Sequence, residues 1–232
     1  MNVMLYYSAL TRPVEMMHPI QLRLLDQARR LGFKTCSSCP KAVTGFDYNA
    51  IQPRGTMPTV IFTAILAGLD TVPADATVYL CEDDVIYHDT HFASHNASGF
   101  AYPQPTRACF NYNFNVVHIG PHGFFRRHGQ ACPVLSMSWG RASIIRECCN
   151  KKLAELKVWA VPPLPGRPAP GFCYEPTRSL GYPTNHMMGK FASLDVRHSQ
   201  NNTWKVEASD KLYQTEAGWG EASELVKQYG IN

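Results

Sequence analysis

The first third of the chain alternates between segments of strand period and segments of helix period, and this alternation constrains the fold more than any other feature. Asn2 to Tyr7 reads as an apolar strand and Ser8 to Pro13 as a loop. Pro19 to Leu31 carries Ile20, Leu24, Leu25, Ala28 and Leu31 at helical spacing, with Gly32 as a stop. Phe33 to Cys36 can begin a second strand, and Pro40 to Gly55 reads as an irregular connection. Thr56 can cap a second helix, with Pro58 in its first turn and Met57, Ile61, Ala64, Ile65 and Leu69 on its apolar face. After a turn at Asp70 to Asp75, Val78 to Cys81 reads as a short buried strand. Strand, helix, strand, helix, strand predicts an α/β fold with a mostly parallel central sheet. Ligands of such sheets bind beyond the carboxyl ends of the strands.

The strand at Val78 runs directly into Glu82, Asp83 and Asp84, with no basic residue beside them in the chain. Carboxylates crowded at a strand end repel one another and resist desolvation. A hard divalent cation, Mn²⁺ or Mg²⁺, relieves both effects through oxygen ligands and can bridge the phosphates of a nucleotide. A solvated acidic loop is the alternative for the same three residues. The turn at Tyr6, Tyr7 and Ser8 is expected at the same edge, where a tyrosine could stack a base or belong to the core. Arg54 and Gly55 precede a helix N-terminus, a place that suits an anion.

The second half is less regular. Asn115 to Ile119 and Pro133 to Met137 read as strands joined by a basic loop, in which Arg126, Arg127 and His128 follow Phe124 and Phe125. Basic residues interleaved with aromatics suit a nucleic-acid backbone and an unstacked base, although a solvated hairpin tip has the same composition. Arg141 to Leu156 predicts a helix with Ile144, Ile145, Cys148 and Leu156 inward. Val161 to Pro176 holds six prolines and is expected to be irregular. Ser193 to His198 places Asp195 and Arg197 on one side of a strand with His198 just past its end, and Glu221 to Tyr229 predicts a terminal helix.

Composition narrows the class. With 232 residues, 45% of them hydrophobic, the chain can bury a substantial core, and its net charge of +4 permits a polyanionic partner without requiring one. No apolar run is long enough for a membrane span, and the N-terminus lacks the pattern of a signal peptide. A cytoplasmic protein with reduced, mostly buried thiols is therefore expected. Of eight cysteines, Cys36 and Cys39 form the one CxxC, where a structural zinc site would want two such pairs.

Together the segments resemble glycosyltransferases of the GT-A fold, closest to a small bacterial and phage group. The resemblance rests on the run Phe62 to Leu69, the strand and acids of VYLCEDDVIYHDTHF, the segments NYNFNVVHI and CPVLSMSW, and the closing LDVRHSQNNTW. It implies one Rossmann-like domain over residues 1-232, with a nucleotide-sugar half at 1-100 and an irregular acceptor-side half at 101-232. It also implies a nucleotide-sugar donor, a UDP-sugar first. Asp84 would bind the metal, and Glu82 would hold ribose or a metal-bound water. Asp83 would occupy the variable middle position of the motif. His198 would ligate metal or phosphate. Tyr6, Tyr7 and Ser8 would border the base, and Arg54 would face ribose or phosphate. Asp195 is the candidate acceptor-side base. Arg126, Arg127, Trp139 and Arg141 would contact the acceptor, for which a 5-hydroxymethylpyrimidine in phage DNA is preferred. A surface polysaccharide or protein acceptor is the alternative within this class. Outside it stands a non-catalytic nucleic-acid-binding protein.

Overall fold

The computed structural model describes residues 1–8, 14–52, 59–93, 110–113, 115–126, 135–158, 184–187, 190–197 and 211–231. Four strands of the first half come in the expected order: β1 (Asn2–Tyr7), β2 (Lys34–Cys39), β3 (Tyr48–Ile51) and β4 (Thr77–Glu82). The helices α1 (Val14–Leu31) and α2 (Thr59–Leu69) connect them. Helix α1 begins a turn earlier than expected and holds Pro19 in its interior. It ends where Gly32 takes φ +68°, a left-handed conformation that glycine adopts without steric penalty. Strand β3 lies inside the segment expected to be irregular. It is an edge strand with alternating exposure and polar residues, so its apolar signal is weak.

The second half adds β5 (Val85–Ile86), the short α3 (Asp89–Ala93), β6 (Phe110–Asn113), β7 (Val116–Gly120) and β8 (Gly123–Phe125). Then come β9 (Ser138–Arg141), α4 (Ala142–Val158), β10 (Thr184–Met187) and β11 (Ser193–Val196). The hairpin β12 (Thr215–Glu216) and β13 (Gly220–Glu221) leads into α5 (Ala222–Tyr229). The strand expected at Pro133 to Met137 is instead a 3-10 turn at Leu135–Met137, where Ser138 Oγ donates to the Leu135 carbonyl at 2.5 Å. The strand itself starts three residues later, and Trp139 lies within it.

The sheets are mixed, which corrects the expectation of a mostly parallel one. The seven-stranded sheet runs β10-β6-β9-β4-β1-β2-β3, and a four-stranded sheet runs β5-β11-β7-β8. Among the described residues five strand pairings are parallel and five antiparallel. The departure comes from β9, which lies antiparallel between β4 and β6, and from the small sheet. Strand period shows which residues pair, not the direction in which a distant strand arrives, so direction was not legible. Strands of the two halves share both sheets: β9 pairs with β4, and β11 pairs with β5.

Two apolar layers cover the large sheet. On one side Met4, Tyr6, Tyr79 and Cys81 pack with α1, α5 and the inner face of the small sheet through Ile20, Leu24, Leu225, Val117, Ile119 and Leu194. On the other, Val3, Leu5, Val78 and Leu80 pack with α2 and α4 through Phe62, Ile65, Leu69, Ile145 and Cys148. Helix α2 approaches β1 closely because Gly68 lies there, where a Cβ would come within 2.7 Å of Leu5 Cδ1. Cys36 and Cys39 are buried free thiols in opposite layers, so the CxxC does not bring its sulfurs together. Burial, with Asp83 nearby, pushes the Cys39 thiol up to about 12, far from a reactive thiolate.

Candidate functional site

The chain lays down β1, β2 and β3 outward on one side and then crosses to place β4 on the other side of β1. Open α/β sheets bind ligands at the carboxyl edge beside such a reversal, which here falls between β1 and β4. The register aligns Tyr7 with Glu82, so Ser8 and the acids after Glu82 leave the sheet side by side. Ser8 Oγ donates a short hydrogen bond to Asp83 Oδ2 across 75 residues of sequence. Its amide donates to the Ser38 carbonyl at 3.2 Å, which ties the end of β2 to the same edge. The structure thus brings together Tyr7, Ser8, Glu82, Asp83 and Asp84. Asp83 and Asp84 are each only 6% exposed, which rules out a freely solvated loop.

Neither tyrosine offers a ring face to a base. Tyr6 is buried against Phe46, and its hydroxyl accepts from Gln21 Nε2 at 3.1 Å. Tyr7 is buried as well, but its hydroxyl has no hydrogen-bond partner among the described residues. Burial raises the Tyr7 hydroxyl well above its usual range, and Glu82, Tyr87 and Asp84 add to the shift. A buried hydroxyl without a partner carries an uncompensated desolvation cost. Tyr7→Phe removes that uncompensated group. It is expected to raise the unfolding free energy of the ligand-free protein by about 1 kcal/mol in urea denaturation. An equal loss would mean that the hydroxyl is bonded after all.

Strand β11 of the small sheet is joined to this edge. The Val196 amide donates to the Asp84 carbonyl at 2.8 Å, and Asp195 stands opposite Val85. Across the sheet the row continues through His118 to Phe125. Asp195 Oδ2 receives a short hydrogen bond from Arg197 Nη2 and lies 3.2 Å from His118 Nδ1. Arg197, 6% exposed, also donates to His118 Nδ1 from Nε at 3.2 Å and from Nη2 at 3.0 Å. The His118 ring stacks on Phe125 with centroids 5.1 Å apart. The expected base, Asp195, is thus part of a trio with Arg197 and His118. His118 was not singled out from sequence, and its one signal was its place in the alternation of NYNFNVVHI.

The other expected contacts are not shown to gather at the acids. Trp139 is 1% exposed and stacked on Tyr79, with centroids 5.6 Å apart, so it is a core residue and not an acceptor contact. Arg141 is exposed, but it pairs with Thr77 at the amino end of β4. That leaves it roughly 16 Å of strand from Glu82, at 3.3 Å per residue. Arg126 is ion-paired with Glu216 at 2.9 Å. Arg54, Arg127 and His198 lie outside the described residues.

Carboxylate and hydroxyl oxygens are the donor type that a hard cation takes. Among the described residues no group of three or more His, Cys, Asp or Glu is gathered to hold a metal. A Mg²⁺ or Mn²⁺ site completed by substrate phosphates needs only one or two protein carboxylates. Among the described residues no helix is long and apolar enough to cross a membrane. The chain matches no model of a known protein family and no curated protein sequence.

Proposed function

We propose that the chain is a metal-dependent glycosyltransferase that moves a sugar from a nucleotide-sugar to a hydroxyl acceptor. One observation carries the reading: buried Asp83 and Asp84 follow Glu82 at the carboxyl end of β4, in register with Tyr7 of β1 and with Ser8 hydrogen-bonded to Asp83. Asp84 would hold Mn²⁺ or Mg²⁺, with Glu82 on ribose or a metal-bound water, and that ion would offset charge on the departing diphosphate. Ser8 fixes Asp83, which orients the acidic turn. In the transfer, the acceptor oxygen bonds to the anomeric carbon as that carbon's bond to the diphosphate oxygen breaks. The acceptor proton passes to a carboxylate base.

A UDP-sugar remains the first donor to try. DNA bearing 5-hydroxymethylpyrimidine remains the first acceptor on the sequence resemblance, with no support from the positions of Trp139, Arg126 and Arg141. The test incubates purified protein with Mn²⁺, a panel of UDP- and GDP-sugars, and DNA with or without 5-hydroxymethylcytosine or 5-hydroxymethyluracil. Product nucleosides are weighed by mass spectrometry. Metal-dependent transfer or donor hydrolysis is expected, and Asp84→Ala should lower it at least about 100-fold while the circular dichroism spectrum stays unchanged. Turnover by Asp84→Ala at the parent rate would remove the metal site from the mechanism. No reaction with any donor would overturn the glycosyltransferase reading.

A further inference from the structure

We propose that His88 is a pH-sensitive latch: the neutral ring caps α3 and holds Phe191 and Trp219 beside it, and the protonated ring lets them go. The latch does not depend on the glycosyltransferase reading.

The tautomer follows from a backbone contact. The Thr90 amide donates to His88 Nδ1 at 3.2 Å, and a backbone N–H can only donate. Nδ1 is therefore an acceptor, and the proton of the neutral ring sits on Nε2. His88 thus caps the first turn of α3. The same point is joined to the start of β11. Thr90 Oγ1 accepts from the Phe191 amide at 3.2 Å and donates to its carbonyl at 3.3 Å. The His88 amide reaches Ser193 Oγ at 3.4 Å. The imidazole packs on Phe191 with centroids 4.7 Å apart and meets Trp219 edge-on at 5.5 Å. Trp219 Nε1 donates to the Ala192 carbonyl at 2.7 Å. Phe191 also lies against the β12–β13 hairpin at Gly218, where a Cβ would fall 2.7 Å from the Phe191 ring.

A protonated imidazole has no lone pair at Nδ1, and its new proton would point at the Thr90 amide proton. The surroundings also oppose the charge. From α1 the Arg23 guanidinium lies 4.7 Å over Trp219, and Lys190 Nζ lies 5.2 Å over Phe191. Asp89 of α3 is the carboxylate that acts on the ring, and it is already held by Arg30 at 2.6 Å and Gln27 at 2.7 Å. The hairpin and β11 present Trp219, Gly218 and Ser193, none of which titrates in this range. Burial lowers the pKa of His88, with Asp89 acting against the shift and Arg23 with it. The folded value lies below the unfolded one. The latch is therefore complete above about pH 6.5 and opens as the pH falls through the lowered value.

The test follows nitrogen-15 shifts and nuclear Overhauser contacts of the labelled protein from pH 7.5 to 5.0. The His88 ring should carry its proton on Nε2 at pH 7.5 and titrate within the series. Its contacts with Phe191 and Trp219, and the contact of Gly218 with Phe191, should weaken at least about twofold at the same midpoint. The contacts of Trp139 with Tyr79 should persist, which separates local opening from global unfolding. His88→Asn keeps a capping acceptor that does not titrate, so its Gly218–Phe191 contact should be independent of pH. A ring protonated on Nδ1 at pH 7.5, no titration by pH 5.0, or titration with every contact intact would each overturn the latch. Simultaneous loss of the Trp139 contacts would overturn it too, as would a Gly218–Phe191 contact that still weakens with pH in His88→Asn. The parent series decides alone if that variant fails to fold.

Discussion

Trp139→Ala should lower the unfolding free energy by about 3–5 kcal/mol, the usual cost of emptying a large aromatic site in a core. The indole is 1% exposed and lies flat on Tyr79, with an interplanar angle of 16°. It also meets the edge of His91 at 5.6 Å between centroids. The surrounding rings belong to the central strand β4 and to the segment after β5, so the cavity cannot close by a loop movement. Trp139→Phe should cost less, because a ring still fills part of the space. Arg141→Ala, two residues along the same strand and exposed, should change stability by no more than about 0.5 kcal/mol. Urea denaturation of the three variants checks the set. A Trp139→Ala protein as stable as the parent, but defective in acceptor binding, would restore Trp139 to the surface role that its sequence position suggested.

Lowering the pH from 6.5 to 4.5 should destabilise the protein steeply, because a neutral imidazole is locked into this same core. His91 is fully buried among Tyr79, Tyr87, Phe92 and Trp139. The Asn115 amide donates to Asn113 Oδ1 at 3.0 Å, which turns the Asn113 amide nitrogen toward His91 Nδ1 at 3.1 Å. Burial lowers the His91 pKa from 6.5 to about 3. The folded value lies below the unfolded one, so between these pH values the unfolded chain binds the extra proton. The contribution is complete above about 6.5 and is lost as pH falls toward 3, at about 1.4 kcal/mol per pH unit. Burial lowers His88 too, which adds a smaller slope in the same window. Asp89 is held at about 2 by Arg30, so its contribution is complete above the ordinary carboxylate range and is lost only as the pH falls below it. His91→Leu should flatten most of the slope between pH 6.5 and 4.5 in a urea series. An unchanged slope would mean that His91 is not the group being protonated.

Sequence period located α1, α2, α4 and α5, and it found β1, β4, β7 and β11 to within a residue or two. Each carries its apolar pattern within a few consecutive residues, so local chemistry suffices to find it. The acids at the end of β4 were legible for the same reason, since a run of carboxylates after an apolar strand shows in the chain itself. Strands β3, β6 and β9 are short and interrupted by polar residues, and their place in the sheet depends on distant partners. The same holds for the side chains that act together. Ser8 meets Asp83 across 75 residues, and Arg197 meets His118 across 79. Such meetings depend on strand register and direction, and a shift of one residue turns a side chain to the other face. By itself the sequence determined the α/β class and the acidic strand end. Only the tertiary structure decided that Trp139 is core, that Arg141 lies at the far edge, and that Asp195, Arg197 and His118 meet.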